Sequence, residues 1–349
     1  MPKYQQIIDE IKEKQNITYE QLKYVLEHEN ESDTEYLFQT ARSVADCTFG
    51  KNVYGRALIE ITNYCKNDCY YCGIRKSNRC IERYRLSKED ILESCEKGYL
   101  EGFRTFVLQG GEDGYFTDEK ICDIVRTVRE KYSDCAITLS IGEKSKESYQ
   151  KYFDSGADRF LLRHETANDE HYQKLHPSEQ KLSARKECLW NLKNIGYQVG
   201  CGFMVGSPYQ TVETIYEDLC FMKELEPHMI GIGPFIPQKD TPFAEFDTGT
   251  VIMTLKLLAV IRLMHPQVLL PATTALSTLH ERGRELGILA GANVVMPNFT
   301  PKKEQGKYKL YNNKECMGKD EVEASLERIG YTLVSERGDH PTKKVRENV

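Results

Sequence analysis

The chain has 349 residues, 40% hydrophobic and 29% charged, with 47 Lys and Arg against 53 Asp and Glu for a net charge of −6. That composition suits a globular protein with a sizeable core and excludes collagen-like, coiled-coil and disordered classes. No stretch approaches the roughly 18 apolar residues of a membrane span, the amino-terminal MPKYQQIIDEIKEKQ lacks the apolar region of a signal peptide, and the mild acidity argues against nucleic acid or an anionic membrane as partner.

Residues 1–50 read as a helical lead-in. Ile7, Ile8 and Ile11 share one face, Leu22, Val25 and Leu26 repeat the spacing, and Thr18-x-x-Gln21 and Ser32-x-x-Glu35 read as capping boxes. From residue 51 to about 300 the rhythm changes. Eight β-rich runs recur: ALIEIT (57–62), TFVLQ (105–109), AITLSI (136–141), RFLLR (159–163), QVGCGFMV (198–205), MIGIGPF (229–235), VLLPAT (268–273) and NVVMP (293–297). Amphipathic stretches such as DEKICDIVRTVREKY separate them. The alternation implies right-handed βαβ units and a parallel sheet, and eight of them predict an α/β fold, a complete (β/α)8 TIM-type barrel. An open doubly wound sheet is the alternative. Residues 301–349 turn polar and predict a short segment packing on the barrel.

In either architecture, sites gather beyond the carboxyl ends of the strands. After the first run come Cys65, Cys69 and Cys72, three of twelve cysteines crowded into eight residues. Without an export signal, such a cluster points to a reduced, cytoplasmic compartment and to metal or redox chemistry. Three thiolates on one loop suit a cubane with one iron left open; zinc with Cys80 as fourth ligand is the plainer alternative, although Cys80 lacks the paired partner that structural zinc sites use. The second run ends in Gly110-Gly111-Glu112, where paired glycines allow close backbone approach. After the fourth, Glu165 can accept from a ribose hydroxyl or an ammonium, and Arg185, opening the next helix, can pair with a carboxylate. Either could equally serve a structural ion pair. Met204 and Ile236, ending the fifth and sixth runs, suit an adenine slot or plain core; Thr273 and Thr274 offer hydroxyls at the barrel mouth.

The C-x3-C-x2-C spacing, with aromatic Tyr71 immediately before the last Cys, resembles the signature of radical S-adenosylmethionine (SAM) enzymes. The resemblance implies one 4Fe–4S cluster on Cys65, Cys69 and Cys72, its open iron chelated by SAM, and reductive cleavage of SAM to a 5′-deoxyadenosyl radical. It places Tyr71, Gly110, Gly111, Glu112, Glu165, Arg185, Met204 and Ile236 at the cofactor. The strand ends QGGED, RHETAN, MVGSPYQT, IGIGPFIP, PATTA and ANVVMPNFTP further resemble, in order and approximate spacing, those of the FeFe-hydrogenase maturases, as far as Tyr311. That likeness implies a substrate cavity faced by Arg163, Thr273, Thr274, Tyr308 and Tyr311, and a substrate that is an iron–cysteine complex carrying CO and cyanide, made by a partner maturase. The alternatives are a methylornithine-synthase-like or biotin-synthase-like relative, or a non-catalytic zinc protein. Some members carry a second carboxy-terminal cysteine cluster; here only Cys316 lies beyond Cys220, so none is expected. Cys95, Cys122, Cys188 and Cys220 read as small buried hydrophobes.

Overall fold

In the computed structural model, residues 2–314 and 318–342 are described. Three helices open the chain: α1 (Lys3–Lys14), α2 (Tyr19–Glu27) and α3 (Glu31–Phe49). Thr18 forms the expected capping box with Gln21. Ser32 does not cap α3. Asn30, in extended backbone, accepts from the Asp33 N–H at 3.1 Å and starts the helix earlier, leaving Ser32 inside it.

The body alternates strands and helices: β1 (Asn52–Gly55), β2 (Ala57–Thr62), α4 (Lys88–Leu100), β3 (Thr105–Gly110), α5 (Asp118–Lys131), β4 (Ala136–Ser140), α6 (Lys146–Asp154) and β5 (Arg159–Leu161). There follow α7 (Asp169–Leu175), α8 (Leu182–Ile195), β6 (Gln198–Cys201), β7 (Met204–Val205), α9 (Val212–Leu225), β8 (Met229–Ile230) and β9 (Gly233–Pro234). The chain continues through α10 (Val251–Met264), α11 (Thr274–Leu279), α12 (Gly283–Leu289), β10 (Val294–Val295), α13 (Lys319–Glu327) and β11 (Thr332–Val334). A six-stranded sheet runs β2-β3-β4-β5-β6-β8, every pair parallel. Parallel bridges then link Met229 to Leu269, Pro271 to Val294 and Leu58 to Asn298, while β10 pairs with β1.

The first four predicted strands fall where their patterns put them. The fifth and sixth each split in two. At Gly202 (φ +150°) an added Cβ would stand 2.0 Å from the Gly231 carbonyl, so both chains bend there and resume as the pair β7–β9. The seventh shrinks to single bridges because Pro271 has no N–H for a ladder.

Helix α10 is apolar all round, and everything from Thr254 to Met264 is buried. A helix with two apolar faces needs two covers. Helices α3, α1, α12 and α2 and strand β9 all pack against it. Buried Lys256 of α10 donates to the carbonyls of Val25, Leu26 and His28, a cation at the carboxyl end of α2 that ties the lead-in to the body.

Two features of the carboxy-terminal segment lay outside the sequence reading. Strand β11 joins β1 in parallel. Beyond it, Asp339 seals the amino ends of β5 and β6, accepting from Arg159 (2.7 Å), Gln198 (2.7 Å) and Arg337 (2.8 Å). Burial opposes a charge there, yet the two guanidinium groups hold the carboxyl far below its usual range. A depressed carboxylate contributes stability that is full above about pH 4 and lost as pH falls below it. Asp339→Asn leaves Arg159 buried without its counter-ion. We expect a loss of about 3 kcal/mol in urea unfolding at pH 7, and a gap to the native protein that narrows in acid.

Candidate active site

The three cysteines lie on the long loop after β2, and polar staples fix its path. Arg83 forks across it, Nη1 donating to the carbonyls of Asn63 and Ile74 (2.8 Å) and Nη2 to those of Arg75 (2.6 Å) and Asn78 (3.0 Å). Asp68 accepts from Arg75 Nε, the Ser77 N–H and the Ser77 hydroxyl. Neighbouring segments press close. A Cβ on Gly111 would lie 2.2 Å from the Tyr64 carbonyl, and one on Gly73 would lie 1.8 Å from the Lys309 carbonyl. Gly111, expected to admit a ligand, thus also admits the cysteine loop. The Gly73 N–H donates to Leu310 (2.9 Å), so the carboxy-terminal segment lies across the loop as a strap.

Cys65, Cys69 and Cys72 are half-buried and line one cavity of about 360 Å3 at the carboxyl ends of the parallel strands. Burial pushes all three thiols up, Cys69 to about 12. Thiolates here therefore need directly bound cations, which the irons of a cluster supply. No group of three His, Cys, Asp or Glu among the described residues is arranged around a single ion. Cys80 is exposed and outside the cavity lining. The placement of Cys80 counts against it as a fourth zinc ligand beside the three cavity cysteines. Cys316 lies outside the described residues. Of the isolated cysteines, Cys95 and Cys122 are buried and Cys188 half-buried, whereas Cys220 is exposed on the outer face of α9.

The structure brings all sixteen sequence-selected residues to this one cavity. Tyr71, between Cys69 and Cys72, donates to His176 Nε2 at 3.2 Å, and His176 Nδ1 donates to the Tyr172 carbonyl at 3.0 Å. Glu112 accepts from the Glu143 N–H at 2.9 Å and faces Lys66 at 3.2 Å. Gly142 (φ +76°) makes room, since a Cβ would lie 2.0 Å from Glu112 Cγ. Glu165, in left-handed backbone (φ +67°), pairs with Arg163 at 3.1 Å. Beneath them, fully buried His164 faces Asp218, which also accepts from the Ala167 N–H. Burial disfavours charge on Arg185, but Glu143 at 2.8 Å outweighs it and keeps the guanidinium firmly cationic. Met204 packs with Phe235, Phe243, Tyr70 and Tyr71, and Ile236 is buried beside the same wall.

Arg163 Nε and Thr273 Oγ1 are buried yet make no hydrogen bond to protein, and Glu165 Oε2 meets the Arg163 guanidinium alone among the described residues. Thr273 stands at the start of α11 without capping it. Buried polar atoms are normally satisfied, so this wall is built for a polar ligand. SAM, with its carboxylate, ammonium and ribose hydroxyls, fits such a donor and acceptor set.

Sequence reasoning missed Glu143, Arg83 and a polar floor to the cavity. Glu60, wholly buried on β2, pairs with Lys314 and accepts from Asn298 at 3.0 Å; Gln109 donates to the Tyr308 hydroxyl at 3.5 Å. The available signal was the lone carboxylate in the apolar run ALIEIT, on the same face as Leu58 and Thr62.

Residues 59–222 match the family described as the Radical SAM superfamily. With the cysteine loop, the parallel sheet and the relatives below, the chain belongs to that superfamily of SAM-cleaving enzymes, and membership implies a 4Fe–4S cluster and SAM. It is 42% identical over 305 residues to the [FeFe] hydrogenase maturase subunit HydE of Thermotoga maritima, covering 87% of each chain. It is 32% identical to 3-methylornithine synthase of Methanosarcina acetivorans over 78% of this chain and 77% of that one. Among solved structures, methylornithine synthase (PylB) matches with TM-score 0.84 and 30% identity over 94% of this chain and 97% of that one. The maturase HydG, at TM-score 0.81 and 22% identity over 94% and 75%, shares the fold. No described helix is long and apolar enough to cross a membrane.

Proposed function

We propose that this chain is a HydE-type maturase of FeFe-hydrogenase that acts in the cytoplasm on an iron–cysteine complex bearing CO and cyanide, delivered by a partner maturase. The observation that carries the reading is 42% identity sustained over 87% of both chains. In this reading the parallel bridges from Met229 round to Leu58 close a complete (β/α)8 barrel over residues 51–300. Residues 1–50 form the lead-in, and the segment from 301 covers both barrel ends.

Cys65, Cys69 and Cys72 would hold the cluster. When bound, the cluster and SAM supply an organic radical for attack at the substrate sulfur. The chain's own residues bind and orient. Backbone carbonyls of Gly110–Glu112 take the SAM ammonium, Glu165 takes the ribose, Arg185 takes the carboxylate, and Tyr71, Met204 and Ile236 flank the adenine. Arg163, Thr273 and Thr274 offer a cation and hydroxyls to the cyanide ligands, with Tyr308 and Tyr311 walling the substrate in. Enclosure keeps water from the reactive species.

The test is anaerobic maturation. The reconstituted protein replaces HydE in a mixture of the other maturases, SAM, reductant and apo-hydrogenase, with hydrogen evolution as readout. Activation supports the reading. SAM cleavage without activation removes it, and the match to the methylornithine synthase structure then makes 3-methylornithine, sought by mass spectrometry, the next product. Arg185→Ala should weaken SAM binding at least about tenfold, the scale of one lost charge-assisted hydrogen bond, with iron content unchanged. Unaltered SAM affinity would make Arg185 a purely structural partner of Glu143.

A further inference from the structure

We infer that Asp218 of α9 is a positioning residue for the cavity turn at residues 163–167, holding Glu165 in the backbone geometry that presents its carboxylate to the ligand. The inference rests on the reading in which Glu165 takes the ribose of SAM.

Past β5 the chain stays bonded to the strand beside it, but by different groups. The Leu162 N–H donates to the Gly200 carbonyl at 2.9 Å, and the Glu165 N–H to the Gly202 carbonyl at 3.0 Å. Between them the His164 ring takes the place of backbone, its Nδ1 accepting from the Gly202 N–H at 3.3 Å. Burial pushes this ring's titration down to about 3, so the imidazole is neutral. Its one proton then sits on Nε2, which faces Asp218 Oδ1 at 3.2 Å. The same oxygen accepts from the Ala167 N–H at 2.5 Å. A single carboxylate oxygen thus ties the residue before Glu165 and the second residue after it.

What lies between the two ties is strained. Glu165 has φ +67°, a left-handed conformation that a residue with a Cβ keeps only where its surroundings impose it. Asp218, for its part, is poorly suited to stability alone. It is wholly buried, its Oδ2 makes no hydrogen bond among the described residues, and burial pushes its carboxyl well up. An unmatched buried carboxylate oxygen costs folding free energy, so the group is accounted for by what it positions. Released from Oδ1, the turn would relax toward extended backbone. Glu165 would then swing away from Arg163, its partner at 3.1 Å on the cavity wall.

The test is a double-mutant cycle on the cluster-loaded enzyme with SAM as probe. Affinity is read by anaerobic titration, and KM and kcat from deoxyadenosine formation. Asp218→Leu keeps the volume and removes the acceptor. Its Kd and KM for SAM should rise at least about tenfold while kcat at saturating SAM stays within about twofold, with iron content unchanged. Asp218→Asn, which keeps an acceptor for Ala167, should restore most of the affinity. Glu165→Ala should weaken SAM as well, and D218L/E165A should bind no more than about twofold more weakly than Glu165→Ala alone. If Asp218→Leu does not fold, His164→Phe carries the same cycle: it cuts one tie and fills the space beside Phe203 and Phe221. Native SAM affinity in the Asp218→Leu or His164→Phe arm, losses that multiply in the double variant, a loss confined to kcat, or no recovery in Asp218→Asn would overturn the positioning role alone. Native affinity in Glu165→Ala would instead remove the ribose reading, and the positioning role with it.

Discussion

Cys69→Ala is expected to abolish SAM cleavage and to leave the parallel sheet and its helices standing. The substitution removes the middle of three thiolates that line the cavity and leaves Cys65 and Cys72 to hold a cluster between them. In the proposed reading Cys69 is a direct ligand, whose loss exceeds the 10–100-fold penalties that follow changes to outer partners, so deoxyadenosine formation should drop more than about 100-fold, with iron content falling too. The fold should not notice. Cys69 is half-buried on a loop, its sulfur meeting Gln180 at 3.6 Å, and it lies outside every strand and helix. Chromatography of the products, iron analysis and a thermal melt measure the three quantities. A variant that still makes deoxyadenosine at the native rate would show that Cys69 ligates nothing.

The second large effect comes from a residue with no place in the chemistry. Arg83→Met keeps the length of the side chain and removes donors to four carbonyls spread over Asn63, Ile74, Arg75 and Asn78. Carbonyls that lose a charged donor cost about 1–3 kcal/mol each when they stay buried, so the loop should open locally rather than keep its path. Expected results are cluster occupancy below half of native and early protease cleavage within residues 64–85, while circular dichroism reports an intact sheet. Arg83→Lys should recover only part, because one ammonium cannot present the guanidinium's flat fork. Full iron content in Arg83→Met would assign the loop's shape to Asp68 and Gly111 instead.

These two residues also mark what a sequence exposes. Cys69 was legible because thiolate chemistry demands a fixed spacing within one short loop, and a spacing survives as a pattern. Arg83 was not, because its partners are backbone carbonyls, which have no letters. The strands from Ala57 to Leu161 were legible for a related reason: they are short buried runs whose ends are set locally. Strands later in the chain were read too long, since the bend at Gly202 depends on the Gly231 carbonyl from another strand. Strand β11 has only three residues, exposed Thr332 and half-buried Leu333 and Val334, and its place beside β1 is decided by tertiary contact. The same holds for Glu143 and Lys314, whose meaning comes from the partners Arg185 and Glu60.

The strap has a consequence for how the molecule is made. Gly73 and Leu310 are joined across 237 residues of chain, and Asp339 seals the opposite end after every strand of the six-stranded sheet has been laid down. Synthesis proceeds from the amino terminus and segments fold as they emerge, whereas contacts so distant in sequence form late. The cysteine loop is thus among the first parts of the body to leave the ribosome and among the last to be covered, which gives a nascent chain an interval in which its three cavity thiols stand open to the cell.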